Sequence, residues 1–399
     1  MVDSITNFLN EDDFRLWLNS YDPNDQAPED LILRFMNGIN LLGIDIYRAS
    51  MWLPTFHPEL WGTQIVWTRG EEIKKYRRDH NITTTPTYLN TPGEAIHKAR
   101  KALRWKLTVA ADELPFPLLR DVKHDGGTDY LIVPFETSDL KEQPWITFAT
   151  NRAGGFSEFE IKIIKELCLP LGWKARVTMA EFATKSLLGV YLGENAAQRV
   201  INGQFKRGTG ESINAIIWYC DLRGFTTLSE QYSPTSLVNI LDQYFECMAS
   251  AIETSGGEIL KFIGDAVLAV FPLTEPLSQC CEKALVAAET ALINLSIWSE
   301  QQQQYSALTL QAGVALHIGE MLYGNIGGSS RLDFTVIGSS VNEVTRLESL
   351  CKTNFPILAS KVFAQHIRHE KMYSIGKKHL MGMQQDHEIF TLKKLINRS

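Results

Sequence analysis

The sequence predicts an α+β protein of two domains, the second of them with a βαββαβ order of elements. The length supports two domains, because 399 residues exceed one ordinary core and 44% of them are hydrophobic, enough to bury two cores. The patterning supports α+β, because apolar residues recur at helical spacing in some segments and in short strand-like runs in others. We predict an N-terminal domain over residues 1–178, a helical linker and hinge over 179–210, and a C-terminal domain over 211–399.

Composition favours a cytoplasmic protein that binds small ligands. The net charge of -7 and the pI of about 5.8 argue against broad nucleic-acid binding, which needs a basic surface. The first residues lack the basic and then apolar pattern of a targeting sequence, and no apolar run approaches the roughly 20 residues that cross a bilayer. We therefore expect no nucleic-acid partner and no membrane span.

The cysteines are predicted to be buried thiols. They lack the paired spacing of zinc or redox sites and lie within apolar helical or strand patterns. The six are Cys168, Cys220, Cys247, Cys280, Cys281 and Cys351.

The first domain follows an order of helix, strands and helix, which predicts an α+β fold. Ser157 and Glu160 form a capping box, since the hydroxyl and the carboxylate can satisfy each other's exposed backbone amides. The box opens a helix that extends to about Leu169. The other predicted elements are a helix over 29–42 and strands over 45–53, 62–67, 130–135 and 145–150.

One run in this domain carries a resemblance to a known type of domain. The segment from Trp145 to Ser157 resembles the closing strand and helix entry of GAF-like small-molecule sensor domains. The resemblance implies a GAF-like regulatory domain with a small-molecule regulator. A packing or dimerisation domain with no ligand is the alternative, and the sequence leaves both open.

A second helical stretch, from Met179 to Gly203, has an apolar stripe that Gly193 interrupts. Such a stripe packs either on its own domain or on the same helix of a second subunit. An ordinary packed helix and a signalling coiled coil both stay open. The Gly208-Thr209-Gly210 segment then predicts a hinge.

The second domain is predicted to form a ferredoxin-like sheet, because its elements follow the βαββαβ order. A hairpin is expected around Gly264 and Asp265. Such a sheet leaves one face for a ligand or a partner. The predicted elements are strands over 213–220, 259–262, 266–271, 308–318 and 321–325, and helices over 236–253 and 277–298.

Two aspartates of this sheet are candidate metal ligands. Asp221 ends a strand and Asp265 lies at a hairpin tip, and the two strands are neighbours in a ferredoxin-like sheet. Mg²⁺ takes few protein oxygens, so one or two carboxylates per site suffice, and two metals can bracket one phosphorus. The backbone amides after Asp221 can cradle terminal phosphates where Gly224 permits close approach, together with Phe225 and Thr226.

Three motifs carry a further resemblance: YCDLRGFT at 219–226, LKFIGD at 260–265 and FTVIGSSVNEVTR at 334–346. In this order they make residues 213–392 similar to the catalytic domain of class III adenylyl and guanylyl cyclases. That family converts a nucleoside triphosphate to its 3′,5′-cyclic monophosphate and pyrophosphate. The resemblance implies two Mg²⁺ or Mn²⁺ ions per active site, held by Asp221, Asp265 and the Leu222 carbonyl.

The same resemblance assigns a transition-state pair to Asn342 and Arg346. Arg346 would supply a fixed cationic fork at the developing phosphate charge, and Asn342 would hold the ribose in its attacking orientation. Their i, i+4 spacing puts both on one helical face. The alternative is a surface Arg346 paired with Glu343.

Base choice is predicted from Lys261 and Thr335. An ammonium can donate to adenine N1 and a hydroxyl can accept from N6, whereas guanine sets its N1 donor against the lysine at a cost of about 1 to 3 kcal/mol. ATP is therefore the expected substrate. Adenylyl members usually carry Lys with Asp. The Lys-Thr pair here resembles a subgroup with bicarbonate-responsive members, so we expect bicarbonate to raise turnover.

One position departs from the family pattern. Where the family often has a Lys or Arg before a glycine to hold the triphosphate, this chain has Met381 before Gly382. Lys377 or Lys378 could substitute, and the sequence does not decide between them. A raised ATP requirement is expected.

The two halves of the site are expected to meet across a homodimer interface, as the resemblance implies. Each subunit would give its metal ligands to one site and its base and transition-state residues to the other. We predict an adenylate cyclase that acts in intracellular signalling. The alternatives are a guanylate cyclase and a catalytically silent nucleotide-sensing module.

Overall fold

The structure is a computed structural model that describes residues 8–393, apart from residues 23, 24, 26, 56, 59, 136–142, 205, 207 and 303–308. The chain divides into two compact units, Met1–Leu187 and Leu188–Ser399. The start of the chain, where we expected no targeting sequence, and Leu308, the predicted start of a strand, lie outside the described residues.

The N-terminal unit is a six-stranded antiparallel sheet with helices on both faces. Its strands lie in the order β3-β2-β1-β6-β5-β4. The strands are β1 Arg48–Pro54, β2 Leu60–Thr68, β3 Lys74–Asp79, β4 Leu103–Lys106, β5 Asp129–Pro134 and β6 Trp145–Thr150. The helices are α1 Glu11–Asn19, α2 Pro28–Leu41, α3 Pro86–Leu89, α4 Pro92–Ala99, α5 Pro117–His124 and α6 Glu158–Leu192.

The sheet separates two apolar cores. On one face the core joins α1, α2 and α6 through residues such as Phe14, Phe35 and Ile164. On the other face it contains Trp52 and Tyr130 and is closed by short helices. The predicted helix and four strands of this unit are confirmed, with β1 beginning three residues later than expected.

Strand β3 was not predicted. Its sequence is KKYRRD and its side chains are largely exposed, so it lacks the alternation of apolar and polar residues that marks a half-buried strand. It lies at the edge of the sheet, where charged side chains are common because they discourage pairing with other chains.

Helix α6 begins with the predicted capping box. The Ser157 amide donates to Glu160 Oε2 at 2.8 Å, and the Glu160 amide donates to Ser157 Oγ at 3.2 Å. The prediction that this helix ends near Leu169 is wrong, because α6 continues through Pro170 to Leu192. The buried Leu167 and Leu171 flank the proline, and their packing offsets the hydrogen bond that proline removes.

The predicted helix from Met179 to Gly203 is therefore two pieces. Its first part is the end of α6, and its second part is α7 Glu194–Ile201. The break at Gly193 is confirmed, with φ at +82°, a conformation that glycine adopts without strain.

The C-terminal unit is one mixed sheet in the order β13-β14-β12-β10-β7-β9-β8, with β11 paired to β10. Its strands are β7 Gly210–Leu222, β8 Glu258–Ile263, β9 Ala266–Pro272, β10 Ala312–Gly327, β11 Leu332–Ile337, β12 Ile357–Ser360, β13 Met372–His379 and β14 Asp386–Leu392. Its helices besides α7 are α8 Phe225–Gln231, α9 Pro234–Thr254, α10 Leu277–Gln301, α11 Ser339–Glu348 and α12 Lys361–Ala364.

The predicted βαββαβ order is confirmed in β7, α9, β8, β9, α10 and β10. Successive residues of β7 face opposite sides of the sheet. Trp218 packs with α9 and α10 in one core, and Ile217 packs with α11 in the other. The four strands β10-β7-β9-β8 are the ferredoxin-like part of the sheet.

Strand β10 corrects the prediction of two strands over 308–318 and 321–325. A single strand runs from Ala312 to Gly327, because β7 pairs with it continuously from Leu222 to Gly210. The predicted hinge segment lies beside the far end of this pair, where the Asn325 amide donates to the Thr209 carbonyl at 2.9 Å.

Two predictions made from composition can also be compared with the structure. Five of the six cysteines are buried as free thiols, as predicted, and Cys247 is half-buried. Among the described helices, none combines the length and apolar character that a bilayer span requires.

Candidate functional site

The pairing of the central strands brings the two candidate metal ligands together. Asp221 lies near the end of β7, opposite Gly313 of β10 on one side and Ala266 of β9 on the other. Asp265 directly precedes Ala266, in a turn that Gly264 forms with φ at +64°. The register therefore places the two carboxyls side by side, and we call them the acidic pair.

The acidic pair is electrostatically unfavourable without a cation. Burial raises the pKa of Asp221 to about 6, and the charge of Asp265 together with a hydrogen bond between the two carboxyls acts in the same direction. No group of three or more His, Cys, Asp or Glu in the described part of the chain is arranged to hold a metal ion. An Mg²⁺ ion at the pair would thus take most of its ligands from water and phosphate, which is its usual preference.

A third carboxyl, which the sequence did not indicate, lies behind the acidic pair. Glu348, at the end of α11, is only 3% exposed. Burial raises its pKa to about 7, Arg223 opposes this shift, and the charges of Asp221 and Asp265 add to it. Arg223 donates from Nη2 to Glu348 Oε1 at 2.7 Å and to the Glu348 carbonyl at 3.1 Å.

This ion pair depends on a glycine. A Cβ at Gly313 would overlap the guanidinium of Arg223 and the carboxylate of Glu348. Gly313 also pairs with Asp221, so the residue that makes room for the ion pair lies next to the acidic pair. The signal available in the sequence was Arg223 itself. It directly follows a buried strand, and a cation in such a position needs an anionic partner.

The segment after Asp221 turns sharply into a short helix. Leu222 is buried as the last residue of β7, and Gly224 has φ at +71°. Phe225 and Thr226 begin α8, so their backbone amides have no partner within the helix. These amides therefore remain available to an anion beside the acidic pair.

The predicted base-recognition residues lie on β8 and β11. Lys261 forms an ion pair with Asp333, a residue that the sequence analysis did not single out. Thr335 follows two residues later on the same strand, so its side chain lies on the same face as that of Asp333. The spacing of two from Thr335 was the signal that could have identified Asp333.

Helix α11 presents the predicted transition-state pair. Asn342 is exposed and Arg346 half-buried, one turn apart. Glu343 lies 3.1 Å from His387 Nδ1, and no described ion pair joins it to Arg346, so the alternative pairing is not found. A Cβ at Gly382 would lie 3.3 Å from the guanidinium nitrogens of Arg346, so this glycine leaves the arginine its space.

The position at which the family often has a triphosphate-holding Lys or Arg lies in a loop and is a methionine here. Met381 is 84% exposed, between β13 and β14. Lys377 and Lys378, the two predicted substitutes, are both exposed and lie opposite Glu388 and His387 in the β13–β14 register.

The described residues thus form separate groups within one chain. The acidic pair lies with Arg223 and Glu348, and Lys261 lies with Asp333. Among the described side chains, no hydrogen bond or ion pair joins the acidic pair to Lys261, Asn342 or Arg346.

The Arg223–Glu348 pair yields a stability prediction. At pH 8, Arg223→Ala should lower the free energy of unfolding by about 2 kcal/mol, because it leaves a buried carboxylate without its cation. The same change made in a Glu348→Gln background should cost less than about 1 kcal/mol. Urea unfolding of the four proteins measures the coupling, and Arg331→Ala, an exposed arginine, is the control. Equal losses in both backgrounds would contradict the pair.

Comparison with known proteins agrees with this geometry. Residues 210–392 match the family described as the adenylate and guanylate cyclase catalytic domain. An adenylate cyclase of Anabaena cylindrica is 34% identical over 146 residues, which are 36% of this chain and 29% of the relative. A terminal-differentiation specific adenylate cyclase of Dictyostelium discoideum is 32% identical over 136 residues, 34% of this chain and 6% of the relative. The chain matches less than a third of each relative's length.

Solved structures of both cyclase types resemble a part of the chain. The adenylyl cyclase CyaB from P. aeruginosa is 25% identical with a TM-score of 0.44, covering 46% of this chain and 95% of that one. The guanylyl cyclase Cya2 is 27% identical with a TM-score of 0.42, covering 46% of this chain and 93% of that one. The family match and these relatives make residues 210–392 similar to the adenylate and guanylate cyclase catalytic domain.

Proposed function

We propose that the protein is an adenylate cyclase that converts ATP to 3′,5′-cyclic AMP and pyrophosphate. The observation that carries the proposal is the acidic pair, Asp221 beside Asp265, in a domain that also holds Lys261 against a carboxylate. The first feature suits a cation-bound triphosphate, and the second suits adenine.

The acidic pair fits divalent cations. The pKa of Asp221 is raised because burial disfavours its charge and the neighbouring Asp265 carboxyl repels it, so a bound cation would favour its ionised form. Asp221, Asp265 and the Leu222 carbonyl are the proposed ligands for two Mg²⁺ or Mn²⁺ ions. When bound, such ions make the ribose 3′-hydroxyl more acidic and neutralise the triphosphate.

The protein's own groups then position the reaction. The ribose 3′ oxygen attacks the α-phosphorus and loses its proton to solvent water, and the bond between the α-phosphorus and the bridging oxygen breaks, so that pyrophosphate leaves. Arg346 stabilises the charge that develops on the α-phosphate, and Asn342 orients the ribose. The amides of Phe225 and Thr226 bind terminal phosphate oxygens at the start of α8.

Adenine is favoured by the acceptors that face Lys261. The ammonium donates to adenine N1, and the Thr335 hydroxyl or the Asp333 carboxylate accepts from the N6 amino group. Guanine would set its N1 donor against the ammonium and its O6 acceptor against the carboxylate. Each unsatisfied polar group costs about 1 to 3 kcal/mol, or roughly 5- to 150-fold in relative binding.

Guanylate cyclase is the second candidate. The observation that favours it is Thr335, because a hydroxyl can donate to guanine O6 as readily as it accepts from adenine N6. The Asp333 carboxylate cannot donate, and for that reason we place ATP first.

A homodimer is proposed as the active form. The acidic pair and the base and transition-state residues form separate groups in one chain, and a twofold arrangement would let each group complete a site with its counterpart. A symmetric dimer then has two identical sites.

Substrate choice is tested by direct competition. We expect cyclic AMP from ATP with a kcat/KM at least tenfold above that for GTP, with Mg²⁺ or Mn²⁺, and a higher rate with bicarbonate at fixed pH. Lys261→Ala should remove the preference, while Lys283→Ala, an exposed lysine of α10, should not change it. A preference for GTP would favour the second candidate, and no product from either would refute cyclase activity.

The shared site is tested by complementation. Asp265→Ala and Asn342→Ala should each be nearly inactive alone. Coexpressed in equal amounts they should recover about a quarter of the wild-type activity, because half of the dimers are mixed and each has one intact site. Activity of the mixture no higher than that of either variant would mean that each chain builds its own site.

The crowding of the acidic pair is tested without turnover. The pKa of Asp221 is higher in the folded than in the unfolded chain. Its ionisation therefore lowers the free energy of unfolding as the pH rises from about 4 to about 6. Asp221→Asn should therefore raise the metal-free melting temperature at pH 7 by about 2–4 °C, or on the order of 1 kcal/mol since the group is partly exposed. Mg²⁺ should stabilise the wild type and not the variant, with Asp242→Asn of α9 as the control. A variant that melts lower, or that still responds to Mg²⁺, would contradict this account.

A further inference from the structure

The N-terminal unit contains a cavity of about 860 Å³ that the cyclase chemistry does not use. It lies on the face of the sheet formed by β1, β2 and β3, beneath α3 and α4, and its lining residues all belong to this unit. Its volume is within the roughly 300 to 1,000 Å³ typical of small-molecule sites.

One end of the cavity is aromatic. Trp52, Trp61 and Trp145 are 3%, 7% and 8% exposed, so their rings are largely withdrawn from water. The ring centres of Trp52 and Trp61 lie 4.3 Å apart, and those of Trp52 and Trp145 lie 6.5 Å apart. All three tryptophans line the cavity, and an aromatic wall of this kind favours a flat, aromatic guest.

Two donors at this end lack acceptors. The indole N–H groups of Trp52 and Trp145 are buried and donate to no acceptor in the described part of the chain. A buried polar group left unpaired costs about 1 to 3 kcal/mol, so such groups are uncommon in folded proteins. Since both rings line the cavity, an oxygen of a bound molecule is the partner that this arrangement lacks.

A cation without a partner lies further along β1. Arg48 is half-buried, lines the cavity and forms no ion pair with a described carboxylate. Lys74, in contrast, is neutralised by Glu71 at 2.9 Å. The other carboxylates of the lining, Asp121 and Asp125, are exposed and therefore screened by water.

A polar path joins the two ends. Gln64 donates to Ser50 Oγ at 3.1 Å, and Arg78 donates to Gln64 Oε1 at 3.3 Å. Arg48 and Trp52 lie on the same face of β1, four residues and about 13 Å apart. A ligand that used both would carry its anionic group on the order of 10 Å from its ring.

We propose that this cavity binds a planar aromatic molecule with a carboxylate or phosphate, the ring packed on Trp52 and Trp145 and the anion on Arg48. A guanidinium matches either anion with two parallel hydrogen bonds. The proposal names a ligand class for the first domain and does not depend on cyclase activity.

The test compares two probes that differ only in the anion, riboflavin 5′-phosphate and riboflavin, titrated into the full chain with tryptophan emission as the readout. We expect saturable one-to-one quenching by the phosphate and at least tenfold weaker binding of riboflavin. Arg48→Gln should bring the two affinities within twofold of each other. Arg77→Gln, an exposed arginine of β3 outside the cavity lining, should leave both unchanged.

Excess ATP distinguishes binding in this cavity from binding at the nucleotide site. Thermal melting confirms that each variant is folded. Binding that persists in ATP supports the proposal. The proposal is overturned if riboflavin 5′-phosphate gives no saturable quenching or if ATP displaces it. It is also overturned if the wild type binds both probes equally, or if the folded Arg48→Gln protein keeps the tenfold difference between them.

Discussion

The pairing of β7 between β9 and β10 is the constraint on which the candidate active site depends. This register sets Asp221 opposite Ala266, next to Asp265, and opposite Gly313, beside the Arg223–Glu348 pair. A slip of one residue would turn every side chain of β7 to the other face and would bury Asp221 among α9 and α10. Trp218 and Cys220, fully buried on that face, resist such a slip because they would have to enter the opposite core.

The same register concentrates negative charge where the chain has little compensating charge. Asp221 and Glu348 both have raised pKa values because each is buried near other acids. The positive charge of Arg223 neutralises one carboxylate. Its hydrogen bond is to Glu348 and not to the acidic pair. The domain therefore carries an electrostatic cost that a bound cation would relieve, as is common where stability is traded for function.

The sequence predicted the acidic pair and the βαββαβ order because both depend on local signals. A polar residue that ends an apolar run, and the change from strand to helical spacing, are visible in a few neighbouring residues. Asp333 and Glu348 were missed because the contacts that define their roles are to Lys261 and Arg223, which lie 72 and 125 residues away along the chain. The continuation of α6 through Pro170 was missed for a related reason, since tertiary packing there overrides a local rule.

In the proposed adenylate cyclase, the ion pair between Lys261 and Asp333 would affect substrate choice as well as structure. Both side chains are partly exposed, so the pair itself adds little stability. Its greater effect is geometric, because a tethered ammonium loses less freedom when it meets a base than a free lysine does. The carboxylate also adds an acceptor beside Thr335, whose hydroxyl can play either role. If the proposed site binds a base at Lys261, Asp333 would supply the acceptor for an amino group that Thr335 alone does not guarantee, and this asymmetry would favour adenine over guanine.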